Sequence, residues 1–304
     1  MESNSNLDFL PILAAGVLWG TMSPAGKQLA LLNTDMLTVA FLRTILMSVP
    51  VAIFLFLRDR DLFRISRRQF IFLVIMSGIT ISGIYAGFFF SLQYLSVSMT
   101  IVIFFSHPLI TAIGSALITR EPPTKYQIFA AALTIIGVGI TALKGLSGEE
   151  IIHIRGFFWC IFSALAMALY SLMGRLSAKT SFVKQPTLFF YIQFFGIFWM
   201  LLIKSATTGW SDLPTLQWDQ LVWVLHISLI GSLLGYSLYF MGLRKVTAAT
   251  ASIVSCIEII TAMSLSAFFL HQPPYPGEII GGIFIILAII MVSGKRARTT
   301  VPLQ

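Results

Sequence analysis

Charge is what this sequence has least of. Only 11% of its 304 residues are Asp, Glu, Lys or Arg, against roughly a quarter in a soluble domain. Twelve acids and twenty bases cannot cover a globule of that size. An ordinary soluble enzyme, a nucleic-acid-binding domain and a disordered regulator are therefore excluded. Cysteine is nearly missing: Cys160 and Cys256 each lie inside an apolar run. That leaves no disulfide framework and no CxxC metal site, and both read as small hydrophobes. The four histidines, His107, His153, His226 and His271, are scattered without a partner four residues away. The HExxH zinc signature is absent, as are the GxSxG elbow and the P-loop, and no cofactor is implied. Long polar stretches are missing too: the longest loop, 205–219, is too small to carry separate catalysis. Residues 1–8 hold no Lys or Arg, whereas a signal peptide would open with a basic region, so the first apolar run reads as a retained span.

Apolar side chains are what the sequence has in excess. Hydrophobic types make up 57% of the chain, and the mean hydropathy is +0.89, which points to a polytopic membrane protein. Ten runs approach the ~20 residues that cross a bilayer core as helix: 9–31, 36–57, 70–92, 97–119 and 125–143, then 156–178, 187–204, 220–242, 246–270 and 275–293. They are continuously apolar rather than alternating, so helices are expected and a barrel is not. The basic residues sort cleanly on this scheme. Fifteen of the twenty fall in 58–68, 120–125, 175–184, 244–245 and 295–298. Only Lys144, Arg155 and Lys204 fall in the alternate loops, and Lys27 and Arg43 lie within spans. By the positive-inside rule the fifteen mark the cytoplasm, with both termini inside.

The halves match at an offset of about 151 residues. Trp19-Gly20 falls on Tyr170-Ser171, Tyr85 on Tyr236, Phe89 on Phe240, His107-Pro108 on Glu258-Ile259, and Pro122-Pro123 on Pro273-Pro274. Five spans is an odd number, so the second copy enters the bilayer inverted with respect to the first. The expected architecture is an all-α membrane protein of ten transmembrane helices in two inverted five-helix repeats, 9–143 and 156–293. Such repeats enclose a solute site at the midplane and open it alternately to the two sides.

Several residues then resemble a known family. Trp19-Gly20 followed by Lys27, Arg43 within FLRTIL, Pro108 with Glu121 closing the fourth span, and Gly137 in the fifth resemble the ten-span EamA transporters of the drug/metabolite transporter superfamily. The resemblance covers about 9–293. It implies carrier-mediated movement, often export, of amino acids or other small metabolites. The second half departs from the pattern: Tyr170-Ser171 replaces Trp-Gly, Gln193 lies near the arginine position, Ile259 follows Glu258 where proline is expected, and Gln272 replaces the closing glutamate.

Ionisable residues in mid-membrane cost on the order of 2.5–3.5 kcal/mol and point to pathways. Glu258, about twelve residues from either end of its span, and His107, about ten from the outer end of its own, are near mid-depth by helix rise. Glu258 reads either as a group exchanging a proton with the solute or as a protonated carboxyl bonding a neighbouring helix. His107 reads as a site residue or as an imidazole bridging two helices. Arg43 either receives an anionic group of the solute or locks to backbone carbonyls. Lys27 and Glu278 lie nearer the interface. Trp19, Tyr85, Phe89, Tyr170, Tyr236 and Tyr239 suit a cavity for an amphipathic solute, or simply pack. Trp210, Trp218 and Trp223 fit the interfacial belt. The pairs Gly16/Gly20, Gly83/Gly87, Gly231/Gly235 and Gly277/Gly281 allow close helix contact, the last within the chain or in a homodimer. Pro24, Pro50 and Pro108 should bend their helices.

The reading is thus a multi-pass cell-membrane carrier of small organic metabolites, expected to work by efflux, with the proton as candidate coupling ion. Its partners are the solute and the bilayer, not nucleic acid, and it acts as a monomer or homodimer. The substrate site is expected at Trp19, Arg43, Tyr85, Phe89, His107, Tyr170, Tyr236, Tyr239 and Glu258. The alternatives are an intramembrane lipid-modifying enzyme or a channel.

Overall fold

The structure is a computed structural model, and it describes residues 8–143, 153–269 and 274–294. Lys144, His271, Gln272, Pro273, Lys295, Arg296 and Arg298, which figure in the sequence reading, lie outside the described residues. Within them the regular elements are all helical: α1 (Leu10–Gly20), α2 (Met22–Leu31), α3 (Met36–Arg58), α4 (Arg67–Ser91), α5 (Val97–Ile118), α6 (Lys125–Ala142), α7 (Ile154–Lys179), α8 (Gln185–Ala206), α9 (Trp218–Gly242), α10 (Ala248–Phe269) and α11 (Pro276–Ser293). Among the described residues nine of them, α3 to α11, are long and apolar enough to cross a membrane. Their outward faces carry exposed Phe54, Leu57, Leu117, Phe198 and Ile290, as a surface solvated by lipid tails requires.

The first expected span is broken. α1 and α2 meet at Thr21, three residues before Pro24. Proline has no N–H to donate to the Gly20 carbonyl, so the helical ladder opens there. Thr21 donates its hydroxyl to the Leu18 carbonyl at 2.7 Å, the acceptor that its own amide also reaches. Pro50, in contrast, sits inside the uninterrupted α3. Helix starts are set by local chemistry. Asp35 accepts from the Leu37 amide at 2.8 Å at the head of α3. Ser66 with Gln69 and Thr124 with Gln127 form capping boxes ahead of α4 and α6, each satisfying two backbone donors that have no helical partner.

Four of the long helices are irregular in mid-course: the breaks of α5 and α10 fall about one offset apart, while the wide turns of α4 and α9 overlap only in part. α4 widens to π-helical turns over Ser82–Gly87, and α9 does so over His226–Leu234. α5 breaks between Val97–Phe104 and His107–Ile118, and α10 between Ala248–Val254 and Ile257–Phe269. Pro108 accounts for the break in α5. The break in α10 has no proline, so the irregularity belongs to the position in the fold rather than to one residue.

Packing is reciprocal. α1 lies against α9 and α10, and α7 lies against the wide turns of α4 and against α5. Shifting by the 151-residue offset converts the first set of pairings into the second. α3 packs on α8 and α6 on α11, two pairings that this shift returns to themselves. The last is the tightest. A Cβ at Gly281 would lie 2.3 Å from the Gly137 carbonyl oxygen and 2.4 Å from the Thr141 side chain, so the two backbones touch. The Gly277/Gly281 stripe is therefore used inside the chain.

Candidate functional site

A cluster of rings forms where α1, α4, α7 and α9 converge. Tyr236 of α9 is its centre: the Trp19 ring is 4.8 Å away and the Tyr170 ring 5.3 Å. The Arg43 guanidinium, from α3, sits 4.4 Å over the Tyr85 ring and 5.7 Å from that of Tyr236. Gln193 of α8 stands close to both Tyr85 and Tyr170. Trp19 also meets Tyr239 at 5.0 Å, and Tyr239 donates to the Ser171 hydroxyl at 2.8 Å. The Trp19 indole nitrogen lies against Gly235, where a Cβ would approach it to 2.6 Å, so only glycine leaves the indole its place there.

The cluster is built from positions one repeat apart. Trp19 pairs with Tyr170 and Tyr85 with Tyr236 at the offset, and Arg43 has Gln193 one residue short of it. Gln193 is the residue that sequence reasoning noticed but did not nominate. Its signal is a lone amide in an apolar run at the arginine's repeat position.

Hydrogen bonding here is incomplete. Trp19 Nε1, Arg43 Nε, the Tyr170 hydroxyl and Gln193 Oε1 are buried without a close hydrogen-bond partner. Most buried polar groups in folded proteins are paired. Among the described residues no carboxylate forms an ion pair with Arg43. The guanidinium lies over the Tyr85 ring and is close to the Tyr236 side chain as well, a cation–π arrangement that holds its charge among the rings.

Of the remaining nominated residues, Glu258 lies near this cluster, and His107 and Phe89 stand apart from it. Glu258 begins the second segment of α10, is half-buried, and lies within electrostatic range of Tyr236 and Tyr239. Its carbonyl rests on Gly20, where a Cβ would come within 2.7 Å. His107 opens the second segment of α5, is buried between Phe104 and Phe105, and leaves Nδ1 unpartnered. No hydrogen bond or ion pair among the described residues joins it to Glu258 or to the ring cluster. Phe89 packs on Phe90 and does not join the rings around Tyr236.

Two ion clusters flank the rings, and the sequence reading missed both. Arg175, counted there among loop cations, is buried one turn before the end of α7. It holds Glu121 with Nε and Nη2, the latter at 2.6 Å, and donates from Nη1 to the Leu243 carbonyl. Lys179 adds a 3.3 Å contact to the same carboxylate. Burial alone would raise the Glu121 pKa, but the bonds and charges of Arg175 and Lys179 outweigh it and hold the carboxyl below its usual range. At the opposite end of α8, Lys204 is fully buried between Asp35 at 2.8 Å and Asp212 at 3.0 Å, and Thr38 donates to Asp212. Desolvation again pushes the Asp212 carboxyl up, and the Thr38 and Lys204 bonds bring it below its ordinary value. Each cluster ties a residue before position 143 to residues after 153.

Known proteins bear on the same arrangement. The EamA-like transporter family matches residues 9–143 and 154–294. The chain is 25% identical to the uncharacterized transporter YyaM of Bacillus subtilis over 75% of its length and 74% of that protein's. It is 24% identical to the uncharacterized inner membrane transporter YicL of Salmonella typhimurium over 95% and 97%. Protein PecM of Dickeya dadantii is 24% identical over 72% of each chain. One crystal structure superposes with a TM-score of 0.75 at 12% identity, covering 93% of this chain and 95% of that one, a likeness of fold. A chain of apolar membrane-length helices, matched by one transporter family over both of its halves, is a multi-pass membrane protein that belongs to the EamA-like transporter family.

Proposed function

We propose that this protein is a secondary carrier that exports a small organic metabolite, such as an amino acid, by alternating access. Its ten crossings form two inverted five-helix repeats, 9–143 and 156–293, with both termini in the cytoplasm. α1 and α2 together make the first crossing. One observation carries the reading: three residue pairs about 151 apart meet in one ring cluster, and the breaks of α5 and α10 recur at nearly the same spacing. A two-fold in the membrane plane would bring repeat-related residues together in this way. The carrier binds its solute at the cluster of Trp19, Arg43, Tyr85, Tyr170, Tyr236 and Tyr239, with Glu258 and His107 at the breaks beside it and Phe89 behind. The two ion clusters hold the halves together at opposite ends and part in turn.

Glu258 is the proposed coupling group. It is a half-buried carboxyl near the site with no ion-pair partner among the described residues, and such a group exchanges a proton readily with the solute's passage. In proteoliposomes the wild-type protein should show saturable counterflow of preloaded metabolites, and a pH gradient should drive net flux. Glu258→Gln should keep the counterflow and lose the gradient-driven component. Flux that shows no exchange would identify a channel and end the carrier reading. Gradient-driven uptake that persists unchanged in the variant would remove Glu258 from coupling.

A further inference from the structure

The segment between α3 and α4 is dense in one kind of charge. Residues 58–68 hold five arginines, two aspartates and no lysine, and the repeat-related segment, 209–219, has no basic residue at all. The backbone beneath the arginines is held in place. Thr187 and Tyr191 of α8 donate to the Leu62 and Phe63 carbonyls at 2.9 and 2.7 Å, and Leu62 is buried with Leu55 and Phe190. Comparable cations at other helix ends are taken up by the protein itself: Arg175 and Lys179 by Glu121, Arg244 by Gln185, and Lys245 by Asp8. Here only Arg64 finds a carboxylate, Asp61 at 3.0 Å. Among the described residues Arg58, Arg60, Arg67 and Arg68 form no ion pair.

Two of these four are placed unusually. A cation at a membrane helix end ordinarily snorkels, carrying its charge out to water. The Arg60 guanidinium instead lies 4.0 Å over the Phe56 ring, and that of Arg58 lies 5.8 Å from the ring of Phe54, one turn back along α3. Phe54 and Phe56 are 55% and 51% exposed, on the surface that lipid tails solvate. Both charges are thus folded back onto lipid-facing rings, within about one helical turn of the end of the span. That is the depth at which head groups meet acyl chains. A phosphodiester is an anion that guanidinium groups bind by paired hydrogen bonds. We propose that the foot of α3 is a binding site for an anionic phospholipid, with Arg58 and Arg60 on its head-group phosphate and Phe54, Phe56 and Leu57 against its acyl chains. A zwitterionic lipid brings a second cation to the same two arginines and is disfavoured. The inference rests on the chain's being a membrane protein, and neither on the carrier reading nor on the side that this loop faces.

Native mass spectrometry tests it, on the purified full-length protein in detergent titrated with dioleoylphosphatidylglycerol or dioleoylphosphatidylcholine. The wild type should bind the phosphatidylglycerol about tenfold or more tightly. The double variant Arg58→Gln, Arg60→Gln should bring that ratio to within about threefold of unity. Arg67→Gln, Arg68→Gln removes the same charge from the head of α4 and should keep the preference. If the first variant does not fold, Phe54→Ala, Phe56→Ala takes its place with the same expected loss, because it unseats the two cations without removing charge. Equal losses in the two arginine variants would mean a diffuse attraction to a basic loop and would overturn the site. So would a wild type without preference, or displacement of the lipid by millimolar inorganic phosphate, which would mark a site for free anions. The readout is binding, so failure of the carrier reading would leave this result standing, and failure of lipid binding would leave the carrier reading untouched.

Discussion

Arg175 shows how much one side chain can hold. It closes a bidentate contact with Glu121 and a bond to the Leu243 carbonyl inside the protein. Removing one partner of a buried pair strands the other charge, at a cost of about 3–5 kcal/mol. Arg175→Leu should therefore lower the melting temperature sharply in detergent, and Glu121→Gln, which leaves a neutral acceptor, should do so less. The pH dependence follows from the sign of the shifts. Glu121 and Asp212 are held below their usual values, so the stability they contribute is present above the ordinary carboxylate range and is lost as pH falls through the depressed values. Thermal melts should show stability dropping with acid in the wild type. The drop should be smaller in the Glu121→Gln, Asp212→Asn double variant, and an unchanged acid dependence would discharge both carboxylates from it.

Among the elements, the α6–α11 contact depends on backbone touching backbone. Any side chain at Gly281 meets the Gly137 carbonyl oxygen, which cannot swing aside as a flexible side chain would. Gly281→Val should destabilise the protein by about 1–3 kcal/mol through overpacking, seen as a lower melting temperature. The paired irregularities were only partly legible beforehand. Pro24 and Pro108 announce the openings at Thr21 and after Phe105, because a missing N–H is a local fact. Pro50 carries the same letter and sits in an unbroken helix. Nothing in the sequence marks the break after Val254 or the π turns of α4 and α9, since those answer to what packs against them.

For the whole molecule, the proposed arrangement of ten crossings makes a simple prediction. In a variant with Cys160 and Cys256 replaced, single cysteines at the exposed positions Ser66, Ser181 and Thr207 can be probed with a membrane-impermeant maleimide. Thr207→Cys should react in intact cells. Ser66→Cys and Ser181→Cys should react only after permeabilisation. Reaction of all three from outside would contradict the inverted repeat.

Composition and run length were enough to make this a helical membrane protein, because a bilayer accepts only segments whose backbone polar groups are satisfied within themselves. The 151-residue offset was readable too, as were most members of the ring cluster, since a repeat leaves its register in the letters. The tertiary structure decided the rest: that Gln193 meets Tyr85 and Tyr170, that Phe89 and His107 stand apart from the rings, and that Arg175 and Lys204 are buried in ion clusters rather than marking loops. Those outcomes depend on which helices lie side by side and which way each side chain turns between them. Such contacts join residues far apart in the chain, and spacing along a single helix does not encode them.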